Sequence, residues 1–501
     1  MNRALKRISL AVLVMFLLLL INANYLQAFE APSLASGPQN VRTLAEQNQY
    51  ERGNIVTSDG MTVAASKPAP SGNFNKYTRY YPGGAAFAPV TGFEGVNGNG
   101  GLESAEDSLL SGNNSQLAFR NFVDMVTNKP QKGATVQLTI NSKAQEAAYA
   151  GLQSVLQGTG KVGGVVALDP TTGAILAMAS YPSYNPNELT TQNGTEFNKI
   201  DNQLVNENPS PLINNATEAT LPPGSTFKIV TSSAYFTATP SANTSTSEYS
   251  PQVLTLPQTS NTLHNDANEV CGAAGVNGNT TIMNAFAQSC DTTFGKIGMD
   301  LGGSTLNSMA DKYGFNDSGL TIPGVTTATS QYVIPTSLPL TAYSAIGQYS
   351  DTATPLEEAM LSATIADGGT EMKPYLIQQI TASDLSVVQS AQPAILNQPV
   401  SSTVANDVKQ MMIAVTQQPN GTGYAYNTSA MGGIEIAGKT GTAQTINGQP
   451  PDAVFTAFAP ANSTPKIAVG VMIQAGGYGA SAAAPIAANV IKAYLGSVGQ
   501  G

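Results

Sequence analysis

The chain of 501 residues is roughly three to four typical domain lengths, and its 42% hydrophobic content is ample for more than one buried core. Charged residues make up only 11%, with a net charge of -10, which argues against a sequence-independent phosphate binder, so no nucleic-acid partner is expected. One histidine, His264, and two cysteines, Cys271 and Cys290, exclude multi-histidine metal sites, zinc knuckles and iron–sulfur clusters; no metal or cofactor is expected, and a Ser-His-Asp triad could only form around His264.

At the N-terminus Arg3, Lys6 and Arg7 precede an apolar run from Ile8 to Ile21 that only Ser9 interrupts. The uncharged stretch continues to Phe29, and no clear A-x-A cleavage site succeeds it. Residues 1–29 therefore read as a cytoplasmic tail and uncleaved membrane anchor, with a signal peptide as the alternative. Either way the positive flank keeps the N-terminus inside and exports the chain beyond residue 30. In an oxidising compartment the two cysteines, 19 apart, can pair; two buried thiols are the other reading.

Residues 30–158 read as a modest α+β module. Residues 54–57 and 61–64 flank Ser58-Asp59-Gly60 as a hairpin, and residues 68–112 read as loops and short strands. Thr135 to Ile140 alternates as a strand, and Asn141 then caps a helix over Ser142 to Leu156. The texture changes near residue 160: residues 164–168 and 174–180 read as buried strands around a turn at 169–173. Helices come next, including 226–236, 281–288, 355–367 and 404–417. Strands return at 434–442, 454–459 and 467–474, and a helix at 485–495 closes the chain. Strands at both ends with helices between predict one antiparallel sheet in which N- and C-terminal strands lie side by side.

Three short motifs carry chemistry. Ser225-Thr226-Phe227-Lys228 starts a helix, so the hydroxyl sits where backbone N–H groups favour negative charge and the amine lies one turn on. An amine of depressed pKa can take a serine proton, but S-x-x-K alone occurs about once by chance in such a chain. Ser289-Cys290-Asp291 comes after a helix and by itself is an ordinary helix-end turn. Lys439-Thr440-Gly441-Thr442 lies within an apolar strand, where Lys and Thr suit a ligand carboxylate better than a sheet interior, and Gly441 lets a ligand backbone lie against the edge.

In this order the three motifs resemble those of the penicillin-recognising acyltransferases, and within them the class B penicillin-binding proteins of the short actinobacterial kind. The resemblance covers nearly the whole chain; supporting signatures are Arg52-Gly53-Asn54-Ile55, Ala88 to Phe93, Val165 to Pro186, Tyr343 to Pro355 and Ala366 to Gly369. It implies an α+β transpeptidase domain of the serine β-lactamase-like fold over 159–498, preceded by the non-catalytic, pedestal-like module at 30–158. It implies that Ser225 attacks a D-Ala-D-Ala stem peptide, Lys228 acts as base and Ser289 relays the proton. Backbone N–H groups of Ser225 and Thr442 would form the oxyanion hole, and Lys439, Thr440, Gly441 and Thr442 would hold the substrate. It also supports a Cys271–Cys290 disulfide. β-Lactams and cell-wall division or elongation proteins are the implied partners.

Asp291 departs from the family pattern, which normally has Asn there; ionised Asp accepts hydrogen bonds but cannot donate them. Either it reduces or redirects activity, or an acidic exterior protonates it. The alternatives to a crosslinking enzyme are a D,D-carboxypeptidase and a catalytically weak scaffold.

Overall fold

The computed structural model describes residues 3–26, 50–69, 75–114, 117, 131–266, 270–271, 278–444 and 448–499. Helix α1 (Arg3–Tyr25) presents exposed apolar side chains, from Leu10 (64%) to Ile21 (58%). No helix among the described residues is long and apolar enough to cross a membrane. The apolar run inside α1, Ile8 to Ile21, covers about 21 Å at 1.5 Å per residue, against a hydrocarbon core of about 30 Å. Residues 27–29, on which the expected anchor also relied, lie outside the described residues.

The hairpin expected around Gly60 forms: β1 (Ile55–Val56) pairs antiparallel with β2 (Thr62–Pro68), and Gly60 takes φ +87° at the turn. Strand β3 (Tyr77–Tyr80) continues the sheet beyond β2, and β4 (Thr135–Leu138) runs parallel to β1. Residues 68–112 contain more helix than expected, with turns of helix at Gly84–Thr91, Gly101–Ala105 and Asp107–Leu110. Pro89 lies inside the first of these. Asn141 caps α2 (Ser142–Leu156), its Oδ1 accepting from the backbone N–H groups of Lys143 and Ala144 at 3.1 Å each.

Strands β5 (Gly163–Leu168) and β6 (Ile175–Tyr181) form the second hairpin. Then come α3 (Lys228–Ala238), α4 (Asp291–Leu301) and α5 (Pro355–Ala366). Strands β7 (Ile377–Thr381) and β8 (Val387–Ser390) cross back to the first sheet, whose order is β8-β7-β4-β1-β2-β3. Helix α6 (Ser402–Gln417), strands β9 (Ala437–Ala443), β10 (Asp452–Ala459) and β11 (Ile467–Ile473) and helix α7 (Gly479–Ser497) complete the chain.

The second sheet runs β9-β10-β11-β5-β6, so β5 lies beside β11 as the sequence predicts. Its strands are apolar on both faces because both faces are covered. Ala453, Phe455 and Ala457 of β10 join the core under α2 and α7, whereas Val454 and Phe458 face the opposite core. On that second face α5 lies so close that a Cβ at Gly470 would meet the Ala359 nitrogen at 2.4 Å. Helix α7 begins six residues before the expected Pro485, which sits inside it. Gly479 explains the early start: a Cβ there would meet the Gly441 carbonyl at 2.3 Å, so α7 begins directly against β9.

Candidate active site

Strand β9 is the free edge of the five-stranded sheet, and three loops meet along it. Ser225 lies in a 3-10 turn, Gly224–Phe227, ahead of α3; the α-helix expected from Thr226 begins at Lys228. Gly224, at φ +57°, makes the entry possible, and the backbone passes close to Thr442. A Cβ on Gly441 would meet the Pro223 carbonyl at 2.8 Å, so the strand and the turn touch at the Ser225 and Gly441 motifs.

Ser289 turns the chain from the short helix Ile282–Ala287 into α4 with φ +61°, a left-handed conformation that costs a non-glycine residue about 1 kcal/mol or more. The turn aims both of its oxygens at lysines. Lys228 Nζ donates to the Ser289 carbonyl at 2.8 Å, to its Oγ at 3.2 Å and to Asp291 Oδ1 at 2.6 Å. Lys439 Nζ donates to the same Oγ at 2.8 Å and to the Thr440 carbonyl at 2.9 Å. Ser225 Oγ is not among these partners of Lys228. Both lysines are wholly buried, and burial pushes both ammonium groups below their ordinary range. For Lys228 the Asp291 carboxylate opposes that shift; for Lys439 the Lys228 charge reinforces it and Asp291 opposes it.

A cavity of about 530 Å³ opens over this cluster, with Ser225, Ser289, Asp291, Thr440 and Thr442 on its walls. His264 is exposed and lines the same cavity. Cys271 and Cys290 are bonded, which ties residue 271 beside the cavity to the turn at Ser289. Residues 272–277 of that loop lie outside the described residues.

Several contributors were not singled out from sequence. The Thr422 and Thr440 hydroxyls share a hydrogen bond at 2.6 Å, and Gln348 Nε2 donates to the Thr442 carbonyl at 3.2 Å. Carbonyls of residues two apart on a strand point to the same edge, and those of Thr440 and Thr442 are met from the cleft side. The N–H of Thr442 accordingly faces the cavity too. Beneath the turn, Thr226 Oγ1 donates to Glu358 Oε1 at 2.8 Å; burial raises that carboxyl to about 8. Gln348 lies inside the Tyr343 to Pro355 signature, a signal that pointed to the segment without a role for the residue. Thr422 had no such signal.

Residues 163–492 match the penicillin binding protein transpeptidase domain family, and residues 52–136 match the penicillin binding protein A dimerisation domain. The chain is 36% identical to the peptidoglycan D,D-transpeptidase PbpA of Mycolicibacterium smegmatis, covering 99% of each chain, and 27% identical to MrdA of Escherichia coli over 80% of this chain and 69% of that one. It is similar to the crystal structure of PBPA from Mycobacterium tuberculosis, with a TM-score of 0.81 at 34% identity, covering 89% of this chain and 100% of that one. The penicillin G acyl-enzyme complex of the same protein matches with a TM-score of 0.81 at 33% identity over the same shares. With the three motifs gathered at one sheet edge, the transpeptidase family matching residues 163–492 and PbpA matching over 99% of both chains, the chain belongs to the penicillin-binding protein transpeptidases.

Proposed function

We propose that this chain is a peptidoglycan D,D-transpeptidase that works through a Ser225 acyl-enzyme and is blocked covalently by β-lactams. The observation that carries this reading is the convergence of Lys228 and Lys439 on one hydroxyl, Ser289 Oγ, in the cavity that also holds Ser225. In acylation Ser225 Oγ attacks the penultimate D-Ala carbonyl and its proton passes to neutral Lys228. The N–H groups of Ser225 and Thr442 hold the oxyanion, a contribution of about 3 kcal/mol per donor. The proton then moves through Ser289 to the departing D-Ala nitrogen as the peptide bond breaks. Lys439, Thr440 and Thr442 hold the substrate carboxylate, with Gly441 leaving room for its backbone. An amine of a second stem peptide attacks the ester, gives up a proton through the same lysine, and releases Ser225 with a crosslink formed.

Residues 159–498 are the catalytic part and 30–158 the supporting module, with α2 and strands β7–β8 crossing between them. The uncharged run to Phe29 behind Lys6 and Arg7 supports a single-pass anchor with the catalytic part outside the cell, where division or elongation proteins would meet it. Labelling of the full-length protein by a fluorescent penicillin, absent in Ser225→Ala, is the expected result. Equal labelling of that variant would refute the acyl-enzyme. Donor and acceptor stems together should yield a crosslinked product; exclusive release of the shortened, uncrosslinked stem would make the chain a carboxypeptidase, and no turnover with labelling intact would make it a weak scaffold.

A further inference from the structure

The carboxylate at position 291 bears on which ligands the cavity accepts. Its Oδ1 accepts from Lys228 Nζ at 2.6 Å, and its side chain remains 21% exposed while that of Lys228 is 0% exposed. Among the described residues Lys228 is its side-chain hydrogen-bond partner, and Asp291 lines the cavity. Asp266 lines the same wall and lies near enough to act on the Lys228 charge. Asn265 Oδ1 accepts from the Thr292 N–H at 3.0 Å and from its hydroxyl at 3.1 Å, which fixes this segment beside Asp291 at the start of α4.

The cavity thus has two poles. Thr440 and Thr442 on β9, with Lys439 behind them, suit a carboxylate, whereas Asp291 and Asp266 put two carboxylates on the lining, beside the donors of Gln288, Asn265 and the rim residue His264. A ligand carbonyl set against Asp291 would find no hydrogen and meet like charge; an ammonium would find both a hydrogen-bond acceptor and an opposite charge.

We propose that Asp291 is a specificity-determining residue that favours acyl donors carrying a protonated amino group on the acyl side of the reacting carbonyl, opposite the carboxylate held by β9. The proposal rests on the transpeptidase reading above. A ligand ammonium at the Asp291 carboxylate shares it with Lys228, so it weakens the hold that keeps a proton on that amine. Cationic donors therefore gain in the acylation step as well as in binding.

Benzylpenicillin and ampicillin differ by one amino group in the acyl side chain, and acylation of the full-length protein by each can be timed by competition with a fluorescent penicillin. At about pH 6, where that amine is protonated, the second-order rate for ampicillin is expected to exceed that for benzylpenicillin about fivefold or more. The ratio should fall to about one or below in Asp291→Asn, fall by less in Asp266→Asn, and shrink at high salt in the unaltered protein. A ratio at or below one in the unaltered protein, or one unchanged in Asp291→Asn, overturns the proposal while leaving the transpeptidase reading intact. Acylation by neither compound overturns both.

Discussion

Among the described residues, two clusters where buried basic and acidic groups meet are built to opposite ends. In the N-terminal module Glu103, fully buried, accepts from Arg52 Nε at 2.7 Å and Arg79 Nε at 2.6 Å, and Tyr81 donates to it at 3.2 Å. Arg52 also reaches Asp107 at 2.7 Å, and Arg79 reaches the Gly53 carbonyl at 2.7 Å. Burial acts to raise the Glu103 carboxyl, but Arg79 and Arg52 more than offset it and hold the group below its ordinary value. In the cleft Lys228 pairs with Asp291 while Lys439, among the described residues, has only uncharged hydrogen-bond partners, and both lysines are pushed toward the neutral amine. Matched charges fix a fold. Undermatched charges beside a cavity leave a proton ready to move.

The largest test of this contrast is Lys228→Ala, which should slow penicillin acylation about a thousandfold. Its melting temperature should hold or rise, since an amine whose charge burial disfavours has been removed. Glu103→Ala should do the reverse. It strands two buried guanidinium groups and should cost about 3–5 kcal/mol in urea unfolding, with acylation intact at temperatures where the fold survives. Loss of acylation in that variant under folding conditions would erase the distinction between the clusters.

The third test concerns buried carboxyls that have no cation beside them among the described residues. Burial raises Glu358 to about 8, and Glu371 and Asp351 each to about 7. The unfolded chain ionises these groups near their ordinary values, so the stability they contribute is present below about pH 4.5 and is lost as pH rises toward about 8. Melting temperature should therefore be higher at about pH 5 than at about pH 8, and Glu358→Gln should flatten part of the difference. A melting temperature that climbs with pH over this range would contradict the assignment. The smallest effect is expected from Thr422→Val, which removes one hydroxyl partner of Thr440. It should lower the acylation rate severalfold, in line with a hydrogen bond of about 1 kcal/mol, without changing the melting temperature.

Local patterns explain what the sequence makes legible. The Asn141 cap, the Gly60 and Gly173 turns and the two-sided apolar strands β10 and β11 each arise from a few adjacent residues. The start of α7 was not legible, because it depends on how closely Gly479 approaches Gly441, a contact across the fold. Of the site, the lysines and serines were legible through the order of the three motifs and the family resemblance it carries, none of the motifs being decisive alone. Their shared focus on Ser289 Oγ, the positive φ that makes it possible and the support from Thr422, Gln348 and Glu358 arise only when distant loops meet.

Strands β7 and β8 come from the later part of the chain but finish the sheet begun by β1–β4, pairing Ile380 with Val136 and Thr381 with Thr135. The two halves are therefore laced together by backbone rather than merely joined end to end. Excising the first half would bare a raw β-edge on the remainder, so a clean amputation at residue 158 would yield a sticky fragment instead of an independent enzyme.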